Sequence, residues 1–371
     1  MKVRKFLTWF LLAAVMVSCL SLCAFAADTS AEAGSNDEAP AEADGSSLDD
    51  YQNGTKTYPW RIGCANSKDA LAYIEGDTFY ITGTGETFYY DMFVTPAWQK
   101  KEFKHVRIGA GITRLGNCTF AWNPYIETVV FEGADTSFGS DNFFLCTGLT
   151  DVTLPANLTE IPDRTFEFCS SLKNIRIPET VTTLGYGVFD GCTNLSKINI
   201  PKGVTSLGEY CFSGTAIEEL TVSDNVSTIP EGLAEDCHNL KRVICGEQTR
   251  TVEDYAFSYC EKLESIYFPV KLEHIRECAF EETINLKHIY YGGTDEQWLH
   301  TDIEGYGDDG VNRVLMRAKL HSNANPGTVS GSTFGSGRTW LVWGGAFVIL
   351  ASAAACIVIA KKRKNAAQTE A

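Results

Sequence analysis

The chain has 371 residues, of which 44% are hydrophobic and 21% are charged, and its formal net charge is −16. A chain of this length and hydrophobic content can hold two or three ordinary domains with buried cores. The acidic balance argues against nucleic acid as a partner, because phosphate backbones bind positively charged surfaces.

The first 26 residues have the three parts of a secretory signal peptide. Basic residues at positions 2, 4 and 5 precede an apolar run over 6–22, and Ala-Phe-Ala at 24–26 supplies a small-residue cleavage site. Residues 27–57 are rich in Ala, Glu, Asp, Ser and Gly and poor in apolar side chains, which predicts a disordered acidic spacer. The sequence therefore predicts an exported chain whose folded part begins near residue 58.

Residues 58–107 do not repeat and predict a small N-terminal β cap. Residues 70–74 and 78–82 have the pattern of two strands joined through Gly76-Asp77, which is a hairpin signal. A solenoid needs such a cap because its terminal repeat would otherwise expose its interior. Aromatic residues of this region supply either a packed core or, alternatively, a platform on which sugar rings stack. They are Trp60, Tyr73, Phe79, Tyr80, Phe88, Trp98 and Phe103.

A repeat of 23 residues occupies 108–291. A Phe-type position recurs eight times, always 23 residues apart except for one spacing of 22. An aliphatic residue follows it by six positions, or five in the shortened repeat, and another follows three later, in a strand pattern L-x-x-I-x-I. Eight units in register predict a mainly β, curved leucine-rich-repeat solenoid with a parallel sheet on its concave face. The Phe-type positions are Phe120, Phe143, Phe166, Phe189, Phe212, Ala234, Phe257 and Phe280.

Residues 181–201 show the unit in full as V-T-x-L-G-x-x-x-F-x-x-C-x-x-L-x-x-I-x-I-P. This unit closely resembles the BspA-like leucine-rich repeats of bacterial surface proteins. Flanking segments at 81–85 with 96–98, and at 289–294 with 297–298, also look like segments that accompany these repeats. Members of that family are implicated in adhesion to host or neighbouring-cell proteins. The resemblance therefore implies an extracellular binding function and leaves the ligand open.

Five repeats carry a cysteine three residues after the Phe-type position, and the other three carry Thr or Asn there. Such a slot suits a small buried group that hydrogen-bonds a turn backbone. Neighbouring rungs lie ~4.8 Å apart, so distance does not exclude disulfides, but three consecutive cysteines leave one unpaired. Buried free thiols are therefore favoured. Zinc is disfavoured because no partner with ligand spacing accompanies these residues. The cysteines are Cys146, Cys169, Cys192, Cys237 and Cys260.

The C-terminal part falls into three predicted segments. Residues 292–320 predict a C-terminal cap, in which the acidic residues at 302–309 do not have the spacing of an EF-hand calcium loop. Residues 321–338 predict a Gly/Ser linker. Residues 339–371 predict a transmembrane helix and a basic cytoplasmic tail, because 340–360 contain no charge and four basic residues follow at once.

The sequence thus predicts a single-pass membrane protein with its repeats outside the cell. Asn325-Pro326-Gly327-Thr328 before the apolar segment also looks like a bacterial sortase signal, which would link the chain to the cell wall through Thr328. Val329 stands where such signals usually have glycine, so the membrane anchor is favoured.

The outward residues of the concave sheet form a row that is locally basic and ends in an apolar and aromatic stripe. Tyr and Arg are enriched at binding hot spots, so we expect this row to contact the partner. Ordinary strand propensity with solubilising charge is the alternative explanation. The predicted ligand-binding residues are Arg176, Lys197, Arg242, Ile244, Tyr267 and Tyr290.

No catalytic, metal or cofactor constellation emerges from the sequence. The six histidines are scattered without zinc-binding pairs, and neither a phosphate-binding loop nor a nucleophile elbow is present. The sequence therefore predicts a non-enzymatic surface protein that binds or adheres to an extracellular, host or neighbouring-cell protein. A passive stalk that displays the N-terminal cap is the main alternative, and an enzyme would need a polar pocket that the sequence does not indicate.

Overall fold

The computed structural model describes residues 54–64, 69–91, 96–307 and 310–329. The predicted signal peptide, nearly all of the acidic spacer, and the predicted transmembrane helix with its basic tail lie outside these residues. None of the helices in the described part has the length and apolar character that a membrane span requires.

Short strands dominate the described residues. Because Ile, Leu and Val alternate with polar residues in each repeat, alternate side chains point into the interior, as in Glu219–Thr221, where only the central leucine is buried. The strands, in chain order, are β1 (Trp60–Arg61), β2 (Leu71–Glu75), β3 (Thr78–Thr82), β4 (Gly85–Glu86), β5 (His105–Ile108), β6 (Ile112–Leu115), β7 (Thr128–Phe131), β8 (Ser137–Phe138), β9 (Asp151–Thr153), β10 (Glu160–Ile161), β11 (Asn174–Ile175), β12 (Thr183–Leu184), β13 (Lys197–Ile198), β14 (Ser206–Leu207), β15 (Glu219–Thr221), β16 (Thr228–Ile229), β17 (Arg242–Ile244), β18 (Thr251–Val252), β19 (Ser265–Phe268), β20 (His274–Ile275), β21 (His288–Tyr291), β22 (Asp302–Ile303) and β23 (Lys319–His321).

The predicted parallel ladder is confirmed. Strands β5, β7 and β9 pair in parallel and in register, so that Val106 lies beside Val129 and Val129 beside Val152. The same arrangement joins β11 to β13, and β15 through β17, β19 and β21 to β23. We call this set of odd-numbered strands from β3 to β23 the long ladder. The chain is therefore a mainly β, parallel solenoid.

The N-terminal strands continue the long ladder directly. β2 and β3 form the predicted antiparallel hairpin, with Gly76 at a φ of 64° in its turn. β3 then pairs in parallel with β5, which places Phe79 beside Val106. The sheet order β1-β2-β3-β5-β7-β9 shows that the non-repeating region and the first repeats share one sheet.

A second parallel ladder runs along the molecule, and the sequence analysis did not predict it. Its strands are the even-numbered ones from β4 to β22, each mostly two residues long. They contain the apolar position five residues before each Phe-type position, such as Leu184, which lies beside Ile161 and Leu207. A strand of two residues is too short for an alternation of apolar and polar residues to be recognised. In the sequence, only the recurring apolar residue marks this ladder.

The turn that carries the Phe-type residue has an unusual backbone. The residues two before and two after each Phe-type position adopt a left-handed conformation, with φ between 51° and 68°. Most of these residues are not glycine, and such a conformation costs them about 1–2 kcal/mol each. Hydrogen bonds between repeats offset this cost, since the amides of Asp141, Phe143 and Leu145 donate to carbonyls of the next repeat at 2.9–3.0 Å.

The Phe-type side chains stack through the centre of the solenoid. Neighbouring rings from Phe120 to Phe212 lie 5.6–5.9 Å apart and are tilted by only 5–7°. Each is buried, and complete burial of one such side chain contributes roughly 1.5–3 kcal/mol. Ala234 replaces the ring in the sixth repeat, so the stack is interrupted before Phe257.

The long ladder is interrupted twice. β9 and β11 belong to different sheets, as do β13 and β15, which leaves β11 and β13 as a two-stranded segment. Glu132 and Gly292 donate a backbone hydrogen bond to the preceding repeat at 2.9 Å, at the position directly after the strand. Proline cannot donate such a bond, and it occupies this position at Pro155, Pro178 and Pro201. Pro269 also occupies this position but follows the four-residue strand β19, so proline alone does not account for the short strands of the middle repeats.

The C-terminal region adds one more rung to each ladder. After helix α1 (Asp295–Trp298), β22 extends the second ladder, and after helix α2 (Val314–Arg317), β23 extends the long ladder. The predicted linker begins at 321, yet Asn323 and Ala324 donate backbone hydrogen bonds to Gly293 and Tyr291. A 3-10 helix at Pro326–Thr328 follows, and Val329 is buried. The folded part therefore continues past the predicted boundary at 321.

Candidate functional site

The predicted binding residues lie on the outward side of the long ladder. In its middle segment, β11 and β13, the charged ones among them are exposed. Arg176 follows β11 directly, and Lys197 begins β13. Both side chains are exposed, as is that of Lys173 just before β11. Within the described residues, none of these three side chains has a hydrogen bond or an ion pair. We call Lys173, Arg176 and Lys197 the cationic cluster.

Charged residues elsewhere on this side of the ladder are neutralised by cross-strand ion pairs. The Nζ atoms of Lys104, Lys241 and Lys287 lie 2.7–2.9 Å from carboxylate oxygens of Glu127, Glu218 and Glu264, one repeat away. The predicted binding residue Arg242 is paired in the same way, with its Nη1 atom 3.1 Å from Glu219. Arg242 therefore presents less free charge than the sequence analysis expected.

Tyr267 is not exposed as predicted. Its side chain is only 2% exposed, and its hydroxyl donates a hydrogen bond of 2.9 Å to the carboxylate of Glu247. Burial and the adjacent Glu247 carboxylate raise the pKa of this phenol well above its usual range. Gly292 leaves the room for the ring, because a Cβ there would lie 3.1 Å from the Tyr267 hydroxyl. The expectation that Tyr267 lies on an exposed stripe is therefore wrong.

The other two members of the predicted stripe are half-buried. Ile244 lies between Thr221 and Tyr267 in register. The ring of Tyr290 stacks on His321, with centroids 4.6 Å apart and an interplanar angle of 12°. His321 is the last residue of β23, and the sequence analysis placed this residue at the start of the linker, so this stacking partner was not foreseen. The outward side chains at the C-terminal end of the ladder are thus more buried than those in the middle.

The cysteine ladder consists of buried free thiols, as predicted. The cysteines of the described residues are all unpaired, and those three residues after a Phe-type position are fully buried. Each Sγ atom donates to the carbonyl of the Phe-type residue one repeat earlier, as in Cys169 to Phe143 at 3.1 Å. Thr283 makes the same contact to Phe257 at 2.7 Å. The slot therefore selects a small donor.

Burial keeps these thiols protonated. It raises the pKa of Cys146 and of Cys237 to about 12. A protonated, inaccessible thiol is a poor nucleophile and a poor metal ligand. Within the described ranges, no three His, Cys, Asp or Glu side chains are grouped so that they could hold a metal ion.

Buried carboxylates lie beside the turns of the middle repeats. Glu167 is 9% exposed, and burial together with the nearby Asp190 carboxylate raises its pKa to about 8. Burial also raises the pKa of Asp190 to about 6. Arg164 forms an ion pair with Asp141 at 2.7 Å but lies 4.0 Å from Glu167. Protonation of Glu167 is therefore favoured near neutral pH.

The N-terminal aromatic residues divide into a packed core, a half-buried pair in which Tyr73 stacks on Tyr80, and the exposed Phe88. Trp60, Phe79, Trp98 and Phe103 are buried. Phe79 packs edge-on against Phe120 with centroids 5.3 Å apart, which joins this core to the stack of the repeats. The alternative of a sugar platform is therefore wrong for these four rings. Phe88 is 46% exposed.

The two parallel ladders, the stacked Phe-type residues and the 23-residue unit define a leucine-rich-repeat solenoid. The family described as BspA type leucine-rich repeat region matches residues 95–218 and 159–287, in six copies. These matches cover more than half of the 371 residues. The chain therefore belongs to the BspA-type leucine-rich-repeat family.

Solved structures of other bacterial leucine-rich-repeat proteins are similar to this chain. A leucine-rich cell surface protein from Faecalibacterium prausnitzii is 18% identical, with 63% of this chain and 96% of that chain covered and a TM-score of 0.35. The T. pallidum leucine-rich-repeat protein is 21% identical, with 53% and 88% covered and a TM-score of 0.42. The pneumococcal vaccine antigen PcpA is 15% identical, with 60% and 80% covered and a TM-score of 0.39. No curated protein matches the chain.

Proposed function

We propose that this chain is a cell-surface binding protein that contacts an extracellular protein through the outward side of the long ladder, with the cationic cluster at the centre of the contact. The observation that carries the proposal is the difference in pairing along this side. Lys241, Arg242 and Lys287 already form ion pairs with carboxylates, whereas Lys173, Arg176 and Lys197 form no ion pair or side-chain hydrogen bond in the described part of the chain.

An unpaired cation is the better contact because no existing ion pair must be broken when the partner binds. Charge complementarity at an interface increases specificity and the rate of association. We therefore propose an acidic patch on the partner protein. The chain itself has a net charge of −16, which repels an acidic partner at long range. Physiological salt screens charges beyond about 8 Å, so the cluster acts at contact distance.

We also propose that the two ends of the repeat region are closed by caps. At the N-terminal end the ring of Phe79 covers Phe120, and at the C-terminal end Trp298 packs against Phe268 and Tyr291 with centroids 6.0 and 5.3 Å apart. The predicted signal peptide and the apolar segment at 340–360 support a location outside the cell with a membrane anchor, and attachment to the cell wall through Thr328 is the alternative. Immunogold labelling of intact cells before and after sortase inhibition distinguishes the two anchors.

The experiment that tests the binding surface compares two charge reversals of equal size in the full chain. The first variant carries Lys173→Glu, Arg176→Glu and Lys197→Glu. The control carries Lys100→Glu, Lys101→Glu and Lys262→Glu, all at exposed positions outside the cluster. Each is immobilised, and capture of solubilised host and bacterial surface proteins is quantified in low and high salt.

We expect the first variant to lose about tenfold or more in capture, as hot-spot substitutions do, and the control to behave as the unaltered chain. If both variants capture the same proteins as the unaltered chain, the long ladder is a passive stalk and the proposal is wrong.

A further inference from the structure

A second surface of the molecule has the chemistry of a ligand site and lies beside the short strands β4, β6 and β8. The segment 87–90 crosses this surface and is held by four backbone contacts. The amide of Thr87 donates to the carbonyl of Arg114, and the Thr87 hydroxyl accepts from the amide of Gly116 at 2.8 Å. The amides of Phe88 and Tyr90 donate to Ile62 and Asn117. The aromatic residues of this segment are therefore presented by a fixed backbone.

Gly116 makes this seating possible. A Cβ at Gly116 would lie 1.8 Å from the carbonyl oxygen of Phe88, so a larger residue would push the segment away. Tyr89, the next residue, is 52% exposed, and its hydroxyl donates to Glu86 at 3.4 Å. The Tyr89 ring therefore extends from a backbone fixed by hydrogen bonds and is open to solvent, as a stacking platform requires.

Arg114 lies over this ring in a cation–π contact and has guanidinium N–H groups without a partner in the described residues. Its guanidinium carbon is 5.8 Å from the centroid of the Tyr89 ring. The Nε atom is buried and has no hydrogen-bond partner within the described residues. The Arg114 side chain makes no hydrogen bond within the described residues and lines a groove, so its remaining guanidinium N–H groups can donate to a ligand.

Tyr89 and Arg114 are among the residues that line a groove of about 580 Å³, which matches the size of small-ligand sites. The remaining lining is mainly polar. Asn117, Asp135 and Asn157 are among the lining residues, and Asn157 donates to the Asp135 carboxylate at 2.7 Å. Glu160 also lines the groove.

The charge of the groove selects among ligands. The lining contains one guanidinium, that of Arg114, and two carboxylates, those of Asp135 and Glu160, so an anionic ligand would be repelled. Neutral hydroxyl groups both donate and accept, and they satisfy carboxylate, amide and guanidinium groups together. The C–H face of a sugar ring packs on a flat aromatic ring such as Tyr89. We propose that this groove binds a neutral saccharide, with the sugar ring stacked on Tyr89 and its hydroxyl groups bonded to Arg114 and to the Asp135–Asn157 pair.

The test measures binding of defined saccharides to the full chain by isothermal titration. The probes are lactose, cellobiose and maltotriose as neutral ligands, and sialyllactose and a glucuronic-acid disaccharide as anionic ones. We expect at least one neutral probe to bind more tightly than both anionic probes. Tyr89→Ala should weaken that binding by about tenfold or more, because it removes the stacking surface. Arg114→Gln should weaken it less, and Arg114→Lys should restore part of the loss.

Two controls separate this site from other effects. Tyr186→Ala removes an aromatic side chain of similar exposure (43%) outside the groove and should leave saccharide binding unchanged. The Lys173→Glu, Arg176→Glu, Lys197→Glu variant should also bind the saccharide normally, so that failure of the proposed protein contact is distinguishable. If no neutral probe binds, if an anionic probe binds more tightly, or if Tyr89→Ala binds as the unaltered chain does, the inference is overturned.

Discussion

The middle and the C-terminal parts of the long ladder are built from the same repeat but differ in how their outward side chains are satisfied. From β15 to β23 the ladder is continuous, and Lys241, Arg242 and Lys287 find acidic partners on the neighbouring strand. In the middle, β11 and β13 form a separate pair of strands, and Arg176 and Lys197 have no partner among the described residues. Where the ladder is continuous, its basic side chains are therefore paired across neighbouring strands. Where it is interrupted, they are left without an ion pair and can contact a partner protein.

The largest expected effect concerns the interior of the two parts. Ile266 in β19 is fully buried, whereas Ile198 in β13 is only partly buried. We expect Ile266→Ala to reduce the free energy of unfolding by about 3–4 kcal/mol and Ile198→Ala by about 1–2 kcal/mol, because large-to-small changes cost more at well-packed sites. Urea unfolding followed by tryptophan fluorescence measures both. Equal losses would show that the middle is packed as tightly as the C-terminal part.

The second prediction uses pH to examine the buried carboxylates of the middle repeats. The pKa of Glu167 is raised from 4.5 to about 8, so between these values the folded state holds a proton that the unfolded state has released. Stability must then fall as pH rises from 4.5 to about 8 and level off above it. We expect the Tm to decrease over this range, and Glu167→Gln to remove most of the decrease above pH 6. Below pH 6 Asp190 also contributes, because burial raises its pKa to about 6.

The matching control for this pH prediction is Glu264→Gln in the C-terminal part, where the partner Lys287 lowers the pKa of the carboxyl group. This change should leave the decrease between pH 4.5 and 8 intact. A pH profile of Glu167→Gln that coincides with that of the unaltered chain would contradict the prediction.

The third prediction asks whether the middle and C-terminal parts differ only at the long ladder or also at the turns that carry the cysteines. The cysteine slot is the same in both parts, since Cys192 donates to Phe166 and Cys260 donates to Ala234, each at 3.1 Å. Valine in place of either cysteine removes the donor and should cost about 1–2 kcal/mol, as a lost buried hydrogen bond does. Threonine has nearly the shape of valine and should be tolerated, as Thr283 shows. Thermal unfolding of the four single variants decides the matter. A larger loss in one part than in the other would extend the difference to the turns.

The smallest effect is expected for the ion pairs themselves. Arg242→Ala should cost less than about 1 kcal/mol, because a surface ion pair contributes little to stability. Arg176→Ala should be neutral for stability, since this side chain has no partner in the described residues. Equilibrium unfolding at low and high salt separates the two variants. If Arg176→Ala proved as destabilising as Arg242→Ala, the cationic cluster would have to be regarded as structural.

Periodicity in the sequence predicted the features that follow from which side chains each repeat buries. The recurrence of Phe143, Leu149 and Val152 at fixed positions determined the solenoid, the long ladder and the interior. The cysteine slot was predicted for the same reason, because a position that accepts Cys, Thr or Asn must be small and must hydrogen-bond. Membership in the BspA-type family follows from the same residues.

The two-residue strands of the second ladder left no alternation to read, so they became visible only in three dimensions. The same holds for β23, which sequence reasoning assigned in part to a linker because it carries no repeat pattern.

What only the tertiary structure decided is the state of the outward side chains. Alternation places Tyr267, Arg242 and Arg176 on the same side of the sheet, yet one is buried on Glu247, one is paired with Glu219 and one is free in the described chain. These outcomes depend on residues one repeat away and on the space left by Gly292. A periodic pattern records whether a side chain points inward, because burial is imposed on every repeat alike. It does not record which neighbour an outward side chain meets, because that contact is made between repeats and differs from one pair of repeats to the next.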